Sequence, residues 1–81
     1  MKDYQEIKEE VISLIASTLS ISEGGVREEA TLADLTEDSI QLFEVLLAFE
    51  KKYDIETAYD DVVQLHTVGD VVHYVQKMMY S

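Results

Sequence analysis

Asp34-Leu35-Thr36-Glu37-Asp38-Ser39-Ile40-Gln41-Leu42-Phe43-Glu44-Val45-Leu46-Leu47-Ala48-Phe49 is the stretch whose reading decides the fold. A short acidic segment runs without a break into the most apolar part of the chain. Asp38 is a good helix N-cap, and Gln41 stands three residues on, in the spacing of a capping box. The spacing predicts a helix from Asp38 or Ser39 to about Tyr53. Ile40, Leu42, Phe43, Val45, Leu46, Leu47 and Phe49 spread over a wide arc of it. Gln41, Glu44, Ala48, Lys51 and Lys52 fall together in roughly 100° at 3.6 residues per turn. A central helix with one narrow exposed stripe is expected. Glu50 falls at the edge of the apolar arc, and the pattern gives no account of it.

Outward from this helix the apolar residues keep helical spacing. Ile7, Val11, Leu14, Ile15 and Leu19 share one face of a segment from about residue 3 to 19, with Asp3 as its N-cap. Between the two helices lies a long loop, about 20–37, in which Gly24 and Gly25 break the first helix. Val26, Ala30, Leu32 and Leu35 in that loop predict that it lies pinned across the domain. Thr57-Ala-Tyr-Asp60 and Thr67-Val-Gly-Asp70 are two further helix-start signals. The first opens a short segment containing Val62, Val63 and Leu65. The second opens a helix with Val68, Val71, Val72, Val75 and Met79 on one face. No hairpin turn appears. The expected fold is all-α: a four-helix bundle, three helices long and one short, with the long loop between the first and second.

Composition narrows function. The 81 residues make one small domain, 1–81, with no cysteine to reinforce it. Seventeen acids against six bases give a net charge of -11. A nucleic-acid binder needs clustered bases, and an anionic membrane surface would repel this chain. Proteins with basic docking patches are the expected partners. No signal core or spanning run is visible, so a cytosolic location and a monomer are expected. Asp34, Thr36 and Asp38 fit the first positions of a calcium loop, but Ser39 and Val45 stand where its glycine and bidentate glutamate belong. His66 and His73 have no third ligand at a telling spacing. No nucleophile-base-acid arrangement appears, so no catalysis and no metal are expected.

Ser39 is the informative residue. Its hydroxyl sits at the first turn of the apolar helix, where unpaired N–H groups and the helix dipole favour an anion such as a phosphodiester. Taken alone, Asp38 and Ser39 also fit a plain helix cap.

The stretch Asp34-Leu35-x-x-Asp38-Ser39-Ile40, with the apolar helix behind it and Thr67-Val-Gly-Asp-Val-Val-His-Tyr-Val75 near the end, resembles the acyl carrier protein family over nearly the whole chain. The resemblance implies that Ser39 accepts 4′-phosphopantetheine from coenzyme A through a magnesium-dependent phosphopantetheinyl transferase (holo-carrier synthase). The arm's thiol would then hold acyl intermediates as thioesters and deliver them to the enzymes of fatty acid biosynthesis. By the same resemblance Asp38 and Ile40 help the transferase recognise the site, and Glu44 is read by partners. Leu42, Leu46, Phe49, Val62 and Leu65 become candidate walls of an acyl pocket that opens only when loaded, with plain core packing as their main role. Thr36 replaces the family's glycine, Ile40 a leucine, and Gln41 a frequent acid, while Lys51 and Lys52 are basic where acids are common. These departures leave room for a specialised polyketide or aminoacyl carrier, or for an acidic adaptor that never takes the arm.

Overall fold

The computed structural model describes residues 2–80; Met1 and Ser81, the ends of the expected domain, lie outside the described residues. Among these residues there are five α-helices and no strand. They are α1 (Tyr4–Leu19), α2 (Leu32–Leu35), α3 (Ser39–Tyr53), α4 (Tyr59–Val62) and α5 (Val68–Met79), with a single 3₁₀ turn at Glu23–Gly25. The all-α architecture with three long helices is the one expected. The difference is a second one-turn helix, α2, inside the long loop. Thr31 makes it by accepting the Asp34 N–H on its hydroxyl at 3.2 Å, a cap concealed in sequence by the shortness of the helix.

The helix ends follow from local chemistry. Asp3 caps α1 by accepting the Glu6 N–H at 2.9 Å. Gly24 and Gly25 do not end α1. Ser20 does so in the left-handed region (φ 58°), and the Ile21 N–H returns to the Ala16 carbonyl at 3.0 Å. Asp54 (φ 52°) closes α3 in the same manner. Neither loop glycine has positive φ. At α5 the capping box is complete: Thr67 Oγ1 accepts the Asp70 N–H and Asp70 Oδ2 accepts the Thr67 N–H, both at 3.1 Å.

Helices α1, α3 and α5 enclose one core. Ile7, Val11 and Ile15 of α1 meet Val45 and Phe49 of α3 and Val68, Val71, Val72 and Val75 of α5. Burying such side chains stabilises the fold by about 1.5–3 kcal/mol each. The loop is pinned as its apolar residues predict, because Val26 and Leu32 are buried in the same core. Backbone bonds fasten it to the start of α5: Leu32 N to His66 O at 2.8 Å, Val68 N to Ala30 O at 3.0 Å, and Gly69 N to Glu28 O at 2.8 Å. The last contact is close. A Cβ on Gly69 would lie 3.1 Å from Glu28 Cγ, so the glycine lets the loop approach the helix. Tyr4, whose hydroxyl donates to Glu28, adds a side-chain tie on the same side. That bond is the main reason its phenol is pushed up to about 12.

Helix α3 departs from the expected narrow stripe. Ile40, Phe43 and Leu47 are 66%, 59% and 54% exposed, along with Tyr59 of α4 and Val63 just beyond it. The apolar arc is wide because it has two jobs: one side enters the core, and the other faces α4. Four residues of α4, none buried, are too few to cover it.

Candidate functional site

Ser39 is the first residue of α3 and is exposed to solvent. Four features hold it there. Asp38 Oδ1 accepts the Gln41 N–H at 2.9 Å, and the Asp38 carbonyl accepts the Leu42 N–H at 3.3 Å. Gln41 Oε1 accepts the Glu37 N–H at 2.8 Å. This is one residue short of a strict capping box, which would return to Asp38; the glutamine instead braces the residue ahead of the cap. Thr36 lies in extended backbone (φ -107°), where a side chain costs nothing, and its hydroxyl donates to the Leu32 carbonyl at 2.8 Å. The glycine expected at that position is therefore not needed for positive φ. Among the described residues the N–H groups of Ser39 and Ile40 have no acceptor. They are the donors a helix start leaves free for an anion.

Ser39 also lies at one end of a groove of about 590 Å³ between α3 and the α4 segment. Leu42, Leu46, Val62 and Leu65, four of the five residues named as candidate walls of an acyl pocket, line it. Phe49 does not. It is 1% exposed in the core and stacks against Tyr53 with centroids 6.3 Å apart. At position 49 the α3 surface has turned from the groove to α1. Phe43, Leu47, Tyr59 and Val63 line the groove as well and were not singled out. For Phe43 and Leu47 the signal was present in the breadth of the apolar arc of α3, which exceeds what one core face needs.

Glu50 and Thr57 complete the lining. Glu50 Oε2 accepts both the Thr57 N–H (2.9 Å) and the Thr57 hydroxyl (3.0 Å). This accounts for the glutamate at the edge of the apolar arc. It also corrects the expected start of α4: Thr57 is engaged with Glu50, the N-cap is Ala58, and no side chain caps the helix. A second tie, from the Tyr74 hydroxyl to Asp61 Oδ2 at 3.3 Å, links α4 to α5. Burial raises the Tyr74 phenol above its ordinary value, partly offset by a contact with the Ala58 backbone and helped to a lesser degree by the charge of Asp61. Asp38, Ile40 and Glu44 are all exposed around Ser39. Lys51 and Lys52 are exposed too, with Lys52 Nζ 5.9 Å from the Tyr53 ring centroid.

Residues 9–75 match the model of the phosphopantetheine attachment site family. An acyl carrier protein of Amoebophilus asiaticus is 37% identical over 75 residues, 91% of this chain and 94% of its own length. The chain belongs to the acyl carrier protein family. Others in the family are comparably similar. That of Thermotoga maritima is 35% identical over 80 residues, 98% of this chain and 99% of its own, and that of Chlamydia trachomatis 35% over 72 residues, 88% and 94%. The prosthetic group of the family is a covalently bound 4′-phosphopantetheine. The site suits such a group: an exposed hydroxyl, two free N–H donors at a positive helix end for its phosphate, and an adjoining groove. Among the described residues no helix is long and apolar enough to cross a membrane.

Proposed function

We propose that Ser39 is the attachment residue, and that the chain carries acyl intermediates between the enzymes of fatty acid biosynthesis as a single domain spanning 1–81. The observation that carries this reading is the position of Ser39, exposed at the first turn of α3 and at one end of the groove. When bound, the arm supplies a thiol for thioester formation. The chain's own residues do the rest. Asp38 fixes the first turn by holding the Gln41 and Leu42 N–H groups, which leaves the Ser39 and Ile40 donors to face the phosphate. Leu42, Leu46, Val62 and Leu65 offer an apolar surface on which a loaded chain escapes water. Phe49 supports that wall from behind rather than touching the cargo.

Partners are a phosphopantetheinyl transferase and synthesis enzymes with basic docking patches. Charge -11 supplies the long-range steering. Asp38, Ile40 and Glu44 stand exposed beside the serine, where a docking enzyme meets them first. The chain acts as a monomer without catalysis of its own, in the cytosol.

The test is incubation with coenzyme A, magnesium and a promiscuous phosphopantetheinyl transferase, followed by intact mass. A gain of one phosphopantetheine that is lost in Ser39→Ala supports the carrier. No gain, or a gain that survives Ser39→Ala, overturns the assignment.

A further inference from the structure

The groove is not uniformly apolar. Its lining from Leu42 to Leu65 is aliphatic or aromatic except at Ser39 and at the Glu50–Thr57 pair. Glu50 lies eleven residues beyond Ser39 on the same helix, about 16 Å along its axis. The two polar features are therefore at opposite ends. Glu50 Oε2 is satisfied twice by Thr57. Oε1 has no hydrogen-bond or ion-pair partner among the described residues, although Glu50 is half-buried.

That arrangement discriminates between cargoes. A saturated chain filling the groove strips water from Oε1 and returns nothing, which costs the desolvation of an acceptor. A chain bearing an O–H or N–H donor replaces the lost water with a charge-assisted hydrogen bond. Thr57 keeps the carboxylate in place, so little side-chain entropy is lost when the donor arrives.

We propose that Glu50 is a specificity residue, and that the groove prefers acyl groups carrying a hydroxyl or ammonium donor over plain saturated chains of the same length. The proposal rests on attachment at Ser39. Its chemistry is that of a hydrogen-bond donor on the acyl chain, whether alcohol or amine.

The test loads the full chain, by transferase, from four acyl-coenzyme A thioesters. These are octanoyl, octanoyl with a hydroxyl beside the thioester, octanoyl with a hydroxyl on its last carbon, and octanoyl with an amine on its last carbon. Intact mass first establishes loading; a failure there is a failure of the Ser39 assignment and not of this one. The readouts are thioester lifetime against hydroxylamine and the amide resonance of Thr57. At least one donor-bearing chain should survive roughly fivefold longer than octanoyl, the worth of one hydrogen bond, and should shift the Thr57 resonance. The position and kind of donor that does so tells alcohol from amine. Glu50→Leu should abolish the preference. Thr57→Val, which keeps the backbone bond to Glu50, should retain it and guards against a collapsed Glu50 variant. Equal lifetimes, a longer lifetime for octanoyl, or a preference that persists in Glu50→Leu overturns the proposal.

Discussion

Two segments of the chain carry the same four-residue signal and fold differently. Thr67-Val-Gly-Asp70 opens a helix of twelve residues with a complete capping box. Thr57-Ala-Tyr-Asp60 opens a helix of four residues with no side-chain cap. The difference lies in what surrounds each threonine. Behind Thr67 come Val68, Val71, Val72 and Val75, each at most 2% exposed, so the cap adds to a face that the core already holds. Behind Thr57 come Asp60, Asp61 and Val63, all exposed, and Glu50 takes both donors of the threonine itself. A cap is worth about 1 kcal/mol, and two bonds to a carboxylate outweigh it. A start signal thus makes a helix where tertiary burial completes it, and is diverted where a charged acceptor competes. The outcome serves the molecule: α5 is scaffold, while α4 is a thin wall beside the groove.

The strongest way to break that contrast is to remove apolar volume from each segment. Val72 is fully buried and Val63 is 50% exposed. Val72→Ala should cost about 2 kcal/mol, from lost transfer energy and the cavity left behind. Val63→Ala should stay within about 0.5 kcal/mol. Urea denaturation of the two variants decides it. Equal losses would mean that the segment after Thr57 is as much a part of the core as α5.

Much of this was legible in the sequence. The spacings of Ile7 to Leu19 and of Val68 to Met79 gave α1 and α5 because each helix has a single core face, and period alone then fixes it. Ser39 stood out as the proposed attachment residue only through the family resemblance of its flanks, since the residues alone fit a plain helix cap equally well. The groove was less so. Phe43 and Leu47 read as core since hydrophobicity says that a residue avoids water, not which neighbour covers it. Phe49 stood between core and groove for the same reason, and only its core role holds. Glu50 and Thr57 could not be paired from sequence, because their bond depends on how the chain turns at Asp54, a residue whose left-handed conformation carries no strong sequence signal.

A smaller effect is expected from the acids of the two signals. Asp70 accepts the N–H groups of His66 at 2.9 Å and Thr67 at 3.1 Å, and these hold its carboxyl below the ordinary aspartate value. Its folded value lies below its unfolded one. The stability it contributes is therefore present above about pH 4 and is lost as pH falls through the folded value. Asp70→Ala should cost about 1–2 kcal/mol near neutral pH. The gap between parent and variant should narrow as the solution is acidified below about pH 4. Among the described residues the Asp60 side chain makes no such bonds, and Asp60→Ala should leave the midpoint near neutral pH unchanged. A gap for Asp70→Ala that is constant with pH would show that its carboxylate is not what closes the box.

The smallest effect comes from giving α4 what it lacks. Ala58 occupies the N-cap with extended backbone (φ -90°, ψ 141°), the conformation a capping serine adopts. Ala58→Ser places a hydroxyl where it can accept the Asp60 N–H without disturbing the Thr57–Glu50 bonds. The expected gain is about 0.5 kcal/mol, at the low end for a cap because the helix has one turn to stabilise. It should appear as slower amide exchange within residues 60–63 and as almost no change in global unfolding, because α4 opens locally before the core does. A gain of the same size in the global midpoint would mean that α4 unfolds together with α5. The two segments would then form one cooperative unit, and the thin wall could not move independently of the scaffold.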